Sequence, residues 1–360
     1  MPLRRYISHP IGSGAWSSGG PFSIELSPTP GTITGLVIYV RPSITTTTVT
    51  ALNDAWDRFI ATMSLTGDGK TFFAFTNMRA AYHLTRFRGH GMARPPVAAG
   101  SLTTDQSTPY EFAYYFHFGQ KLREVVNGRV RANPWELSAG IPPLSKGNLT
   151  LQGTWGTTNA PGTNWSILSG TTFSVGYFMV SPTTGDADSD WLPQAMPRWE
   201  MATPTPTATS SLLQTAYNIP SGDYLQALML MGTNGSGAPR DDGVLGSLEL
   251  FNQKRGQSLW RTDRYKHSEL LTQAVWGAAI GQGWPASDDN STLVTPSVAK
   301  NADEGLVYLP GDLLSPTGHP VYGAYMGDVA TGDIQLRYGV DDATGITLDV
   351  VSVKYQGVAA

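Results

Sequence analysis

The sequence predicts an all-β protein built as two consecutive jelly-roll β-sandwich or barrel domains in one chain, each with a short helix in an inter-strand loop. Three observations support this. The 360 residues include 40 Gly and 25 Pro, with only 14% charged, a composition that suits short strands and many turns better than helices. Short runs of alternating apolar and polar residues, such as Phe22–Leu26, recur between Gly/Pro/Asn/Asp turns, and period two marks half-buried strands. The order of these runs is then written twice, at an offset of roughly 185–195 residues. Identity between the copies is slight, so the repeat is one of pattern.

A chain of this length accommodates two domains, each large enough to bury its own core. The expected divisions are an N-terminal arm over 1–20, a first jelly roll over 21–181, a linker over 182–211 and a second jelly roll over 212–360. The arm is Gly/Ser-rich and carries Arg4, Arg5 and Trp16. It reads as an extended or partly disordered terminus rather than core, either frayed or docked on a neighbour.

The first copy opens with Phe22–Leu26, a Ser-Pro-Thr-Pro-Gly turn and the apolar run Ile33–Val40. The β-branched tract Thr45–Thr50 and a helical turn over Asn53–Arg58 precede Phe59–Leu65. Thr66–Gly69 turns the chain into Thr71–Phe75, and Asn77 is placed to cap a helix over 77–88. A Gly/Pro-rich loop over 89–108 leads to the aromatic strand Tyr110–Phe118. Strands around Leu122–Val130, Asn148–Trp155 and Thr172–Val180 complete the set. Eight or so strands with one inserted helix fit a jelly roll.

The segment to residue 211 changes character. Asp186, Asp188 and Asp190 are followed by Pro193, Pro197 and Thr203–Thr207, which reads as a semi-rigid connection. Trp191, Trp199 and Met201 within it imply packing against the domains. The second copy repeats the order with Tyr217–Ile219, Tyr224–Met231 and Val244–Phe251, then the turn Asn252–Gly256 and Ser258–Trp260. Asp263 stands at an N-cap position before Arg264–Leu271. A long loop spans Trp276–Asp303, and Leu306–Leu309, Val321–Met326, Ile334–Val340 and Ile346–Tyr355 supply the last strands.

Composition also excludes classes of function. With no cysteine there is no disulfide, thiolate zinc site or cysteine nucleophile. A formal net charge of -4 gives no nucleic-acid footprint. No apolar run reaches the roughly 18–20 residues of a helical membrane span. The first residues carry two arginines with no apolar segment behind them, so no secretory signal peptide is expected. Chance accounts for the sequons at Asn148, Asn164, Asn234 and Asn290 in a Ser/Thr-rich chain.

No constellation points to catalysis. His83 and His267 fall at about equivalent places in the two copies, which favours a structural reason, and His117 reads as a hydrogen-bonded strand residue. Arg86–His90 forms a basic patch suited to a helix end or a subunit contact. Asp186, Asp188 and Asp190 have the spacing that opens a calcium loop, but Trp191 and Pro197 stand where its Gly and bidentate Glu belong. The pairs Asp241-Asp242, Asp288-Asp289 and Asp341-Asp342 are weak candidates for cations between subunits. Gly67-Asp-Gly-Lys70 lies between strands, so it is a hairpin turn rather than a phosphate loop. No catalytic, cofactor-binding or metal-binding residue is assigned.

This order of elements, over about 20–356, resembles the double jelly-roll major capsid proteins of tailless icosahedral viruses with internal membranes, the lineage of tectivirus, corticovirus and adenovirus-hexon capsids. The resemblance implies upright barrels and a homotrimer of pseudo-sixfold outline that tiles a shell beside neighbouring capsomers. It implies no enzymatic activity and no cofactor. The partners it implies are copies of the same chain, vertex or penton and minor capsid proteins, and an internal membrane surface met by the N-terminal arm, with Arg4 and Arg5 facing inward. No specific nucleic-acid recognition is expected. The location implied is the virion, assembled in the host cytoplasm.

The alternative reading is a two-domain carbohydrate-binding or carbohydrate-cleaving β-sandwich protein, with Trp135, Trp155, Trp165 and Trp284 stacking on sugars. A third is another phage structural component, such as a tail or spike protein.

Overall fold

A computed structural model describes residues 4–26, 31–51, 55–87, 111–119, 124–126, 129–131, 133–144, 148–182, 191–204, 210–219, 224–234, 245–264, 267, 305–310, 324–325, 333–340 and 346–357. The chain divides into two compact units, principally Met1–Arg198 and Trp199–Gln356.

In the first unit the strands are β1 (Arg4–Ile7), β2 (Ile11–Gly12), β3 (Pro21–Leu26), β4 (Thr32–Arg41), β5 (Ile44–Ala51), β6 (Ile60–Gly67) and β7 (Lys70–Phe75). After helix α1 (Met78–Phe87) come β8 (Phe112–His117), β9 (Glu124–Val126), β10 (Arg129–Arg131), β11 (Leu149–Trp155), β12 (Gly162–Ile167) and β13 (Thr172–Ser181). One sheet runs β1-β13-β4-β8, with β2 also on β13, and another runs β7-β6-β11-β3. β5 pairs with β12, and β9 with β10.

Alternation decides which side of each strand is dry. Phe22, Ile24 and Leu26 of β3 are buried and their neighbours exposed. Leu36, Ile38 and Val40 of β4 and Phe112, Tyr114 and Phe116 of β8 form the same kind of inward row. The rows meet as ring pairs between the sheets: Phe22 with Phe173 at 4.7 Å and Phe73 with Phe116 at 5.2 Å. Such pairs contribute about 0.5–1.5 kcal/mol each beyond burial of their area.

Local chemistry sets the turns. Asp68 and Gly69 both have positive φ, 49° and 71°, where Gly67 pairs with Lys70 to close the β6–β7 hairpin. Two consecutive left-handed residues match the twist of the flanking strands. Helix α1 begins as expected: the Arg79 amide donates to Asn77 Oδ1 at 3.1 Å. It packs on β6, β7, β8 and the 3-10 turn Ala55–Arg58, burying Met78, Ala80, Ala81, Tyr82 and Leu84.

Strand β14 (Ala195–Ala202) carries the chain across the unit boundary. The second unit contains β15 (Ser210–Asn218), β16 (Tyr224–Asn234), β17 (Leu245–Asn252), β18 (Gln257–Thr262), β19 (Leu306–Pro310), β20 (Ala324–Tyr325), β21 (Ile334–Val340) and β22 (Ile346–Gly357). Its sheets run β15-β21-β17-β18 and β19-β16-β22, with β20 on β16. Leu228, Leu230, Leu250, Leu336 and Val350 are among the residues of its core.

The repeat read from the sequence is reproduced in topology. Matching β3 with β15, β6 with β17, β7 with β18 and β11 with β21 turns β7-β6-β11-β3 into β18-β17-β21-β15. Matching β4 with β16, β8 with β19 and β13 with β22 turns β13-β4-β8 into β22-β16-β19. Even the opening strands correspond, because β1 flanks β13 and β14 flanks β22.

Three elements differ from expectation. The single strand expected over Leu122–Val130 is the antiparallel pair β9–β10, with Arg129 opposite Val126; Asn127-Gly128 between them is a strong hairpin dipeptide. β12 was not expected, because glycine and asparagine dilute its apolar signal. The segment expected as a linker contains β14. The second helix, expected over Arg264–Leu271, and the loop Trp276–Asp303 lie largely outside the described residues.

Candidate functional surface

Strand β1 brings Arg4 and Arg5 to an edge of the first unit's β1-β13-β4-β8 sheet. Arg4 stands opposite Ser181 and Arg5 opposite Val180, and all four residues of β1 are exposed. The terminus is not frayed over residues 4–20. The Ser8 amide donates to the Tyr177 carbonyl at 3.0 Å, and the Tyr177 amide donates back to Ser8 Oγ at 2.9 Å. Further on, the Ser13 amide donates to the Phe173 carbonyl at 2.8 Å and Trp16 Nε1 to the Gly156 carbonyl at 3.2 Å. The segment is extended, as its composition implied, but it is pinned to its own unit.

The two arginines differ. Arg5 lies over the Trp135 ring at 5.6 Å, and Trp135 meets Phe178 edge-on at 5.8 Å. A partly exposed cation over indole contributes about 0.5–1 kcal/mol. Arg4 falls on the other side of the strand by alternation.

Two histidines of the first unit, His83 and His117, are buried. His117 is buried on the side of β8 opposite Phe116, and its Nδ1 lies 3.2 Å from the Tyr115 hydroxyl. Burial pushes the Tyr115 phenol well above its ordinary range. His83 is buried on α1, while His267 is exposed, so the expected equivalence of their roles does not hold. The Arg86–His90 side chains lie outside the described residues.

Buried charges in the second unit are paired. Lys354 Nζ on β22 donates to Glu200 Oε2 on β14 at 2.8 Å, and Thr203 Oγ1 donates to Asp349 Oδ1 at 2.8 Å. Arg337 sits 3.6 Å above the Phe251 ring with Glu249 at 3.9 Å. These contacts fasten strands together, and sequence inspection had not singled them out because their partners are more than 80 residues apart.

Among the described residues no group of three or more His, Asp or Glu could hold a metal ion. The acidic sets at Asp186–Asp190, Asp241-Asp242, Asp288-Asp289 and Asp341-Asp342 lie outside them. No helix among the described residues is long and apolar enough to cross a membrane.

Two of the four tryptophans offered for sugar stacking are closed off in the core. Trp155 and Trp165 are fully buried, and Trp135 is half-buried beneath Arg5; Trp284 lies outside the described residues. The aromatic strand contributes mostly to the core, since Phe112, Tyr114, Phe116 and Phe118 are buried.

No family model and no curated protein matches the sequence. Solved structures do match, at low identity and nearly full length. The STIV MCP aligns with a TM-score of 0.67 at 13% identity, covering 98% of this chain and 97% of that one. A chain of the Sulfolobus Turreted Icosahedral Virus structure aligns at 0.65 with 12% identity, covering 98% and 90%. The major capsid protein P2 from Bacteriophage PM2 aligns at 0.54 with 12% identity, covering 99% and 98%. This chain has the fold of these proteins, the double jelly roll.

Proposed function

We propose that the chain is a major capsid protein, a non-enzymatic structural component of a virion, and that it works as a homotrimeric capsomer. The observation that carries this is the strand-for-strand duplication, seen in a fold that capsid proteins share across almost the whole of both chains. Three copies of a two-sandwich chain place six similar units around one axis. Such a tile has a nearly hexagonal outline and packs in a closed shell with few kinds of contact. Its partners are neighbouring capsomers and the vertex and minor proteins that close the shell.

Arg4 and Arg5 are the proposed inward-facing groups. Exposed guanidinia suit an anionic membrane or genome surface, through charge rather than sequence recognition. Assembly in the host cytoplasm completes the proposal. The burial of Trp155 and Trp165 counts against the carbohydrate-binding alternative.

Light scattering on the purified chain, with negative-stain images of the same peak, tests the proposal. Three times the mass of one chain and a hexagonal outline are expected. A monomer at every concentration would sink it.

A further inference from the structure

One sheet face of the second unit carries charge that its counterpart in the first unit does without. On β17 and β21, Leu248, Leu250 and Leu336 belong to the core, so alternation turns Glu249, Phe251, Gln335 and Arg337 the other way. Glu249 stands opposite Arg337 on one side and Arg261 of β18 on the other. The matching strands β6 and β11 place Thr62, Ser64 and Thr66 opposite Thr154, Gln152 and Thr150, and neither strand contains a charged residue. The sheet itself therefore does not require charge at this position.

Arg337 is held in a fixed pose. Its guanidinium lies 3.6 Å from the centre of the Phe251 ring. Nε and Nη2 donate to Gln335 Oε1 at 3.2 and 3.0 Å, and Nη2 donates to Gln253 Oε1 at 3.2 Å. A guanidinium only donates, so both glutamine oxygens face it and both amide NH2 groups are turned elsewhere. Nη1 is 3.9 Å from Glu249 Oε2, too far for a hydrogen bond, and the Arg337 side chain is 23% exposed. Beside it the β17–β18 turn exposes Gln253, Lys254 and Arg255. Strands β17, β18 and β21 and that turn together hold four cations and one carboxylate, in a chain whose formal net charge is -4. Asp263, just past β18, engages Arg261 at 3.6 Å, so the excess positive charge lies at the turn.

We propose that Arg337 and the β17–β18 turn form a carboxylate-binding site that takes an acidic segment of a protein partner. A planar guanidinium with amide donors beside it matches the two oxygens of an Asp or Glu side chain. Lys254 and Arg255 meet the next acidic residue along the same segment. Charge complementarity selects this occupant, because the turn is a positive site on a chain that is acidic overall. A nucleic-acid backbone fits less well: Glu249 lies beside Arg337, and a run of phosphates calls for a cation at each contact. The site does not depend on the capsomer proposed above, and its failure would leave that proposal untouched.

The test uses the full chain and a rhodamine-labelled hexa-aspartate peptide, followed by fluorescence anisotropy at low ionic strength, where surface charge is least screened. Saturable binding is expected. Gln253→Glu places a carboxylate beside Arg337 and should weaken binding at least about tenfold. The side chain is exposed and the new carboxylate has Arg337 as a partner, so the melting temperature should hold or rise. Arg337→Lys keeps the charge and loses the fork, and should weaken binding as well. Gln152→Glu makes the same change of charge on the exposed side of β11 and should bind as the parent does. Absence of saturable binding by the parent overturns the proposal. So does equal weakening by Gln253→Glu and Gln152→Glu, which would mark a response to net charge alone. An oligothymidylate of equal charge that displaces the peptide at equal concentration would assign the site to phosphodiesters and overturn the acidic-segment reading.

Discussion

Replacing Glu200 with alanine should weaken the second unit far more than replacing its partner Lys354 with methionine. The Lys354 ammonium donates to Glu200 Oε2 at 2.8 Å, and the side chains are 3% and 37% exposed respectively. The cation is dry and the carboxylate is half wet, so the two deletions are not symmetric. Glu200→Ala leaves the buried ammonium without this carboxylate. Breaking a fully buried pair costs about 3–5 kcal/mol; because water reaches Glu200, about 2–3 kcal/mol is expected here. Lys354→Met removes the buried charge, keeps a similar volume and leaves Glu200 to the solvent, at a cost of about 0–1 kcal/mol. Hydrogen exchange of the full chain reads the difference in the amides of β14 and β22. At 1.4 kcal/mol per tenfold, Glu200→Ala should speed exchange there by about 30- to 150-fold, and Lys354→Met by about fivefold at most. Equal acceleration by the two variants, or none from either, would refute the reasoning and with it the role of β14 as an integral strand.

Two further predictions concern the first unit. Trp165 is 0% exposed and meets Trp56 edge-on at 5.9 Å, so Trp165→Ala should cost about 3–5 kcal/mol and lower the melting temperature; an unchanged melting temperature would contradict its place in the core. Burial raises the Tyr115 phenol above its ordinary value, so the folded chain holds that proton more tightly than the unfolded chain does. Stability from this source is intact below about pH 10 and falls as pH rises beyond it. Tyr115→Phe should therefore flatten the fall in melting temperature between about pH 9 and 11, with Tyr217 and Tyr338, also raised by burial, supplying the slope that remains. Identical slopes in the two proteins would show that Tyr115 is not the group responsible.

What the sequence disclosed, and what it hid, follows from the range of the interactions. Phe22, Ile24 and Leu26 face inward because period two is a local property, and the Asp68-Gly69 turn and the Asn77 cap are equally local. β12 and β14 depend on remote partners. Trp165 on β12 pairs with Thr46, and Glu200 on β14 meets Lys354. Pro197 within β14 removes a backbone donor, which reads as a break in the strand until its position is known. The burial of Trp155 and Trp165 was hidden for the same reason: an aromatic residue says that it wants a surface, and only the tertiary structure says whose. The exposed face around Tyr39 was the least legible feature, because its strand alternates as any core strand does.

The correspondence of β1 with β14 changes what the first residues of the chain mean. If the repeating unit began near Phe22, the N-terminal arm and the linker would be unrelated additions. Both instead provide a strand beside the last strand of their unit, β1 on β13 and β14 on β22. The strand that flanks the last strand of each unit therefore lies before residue 20 in the first and within the segment expected as a linker in the second. Comparing the two openings then separates what the fold requires from what it does not. In the second unit this strand buries Trp199 and uses Glu200 to hold Lys354. In the first, Arg4 through Ile7 are all exposed and contribute backbone pairing with little side-chain burial. A strand at this position can thus serve its sheet by burying side chains. The two guanidinia and the exposed isoleucine of β1 are not demanded by the sheet they flank, so their chemistry is available to whatever lies outside the chain.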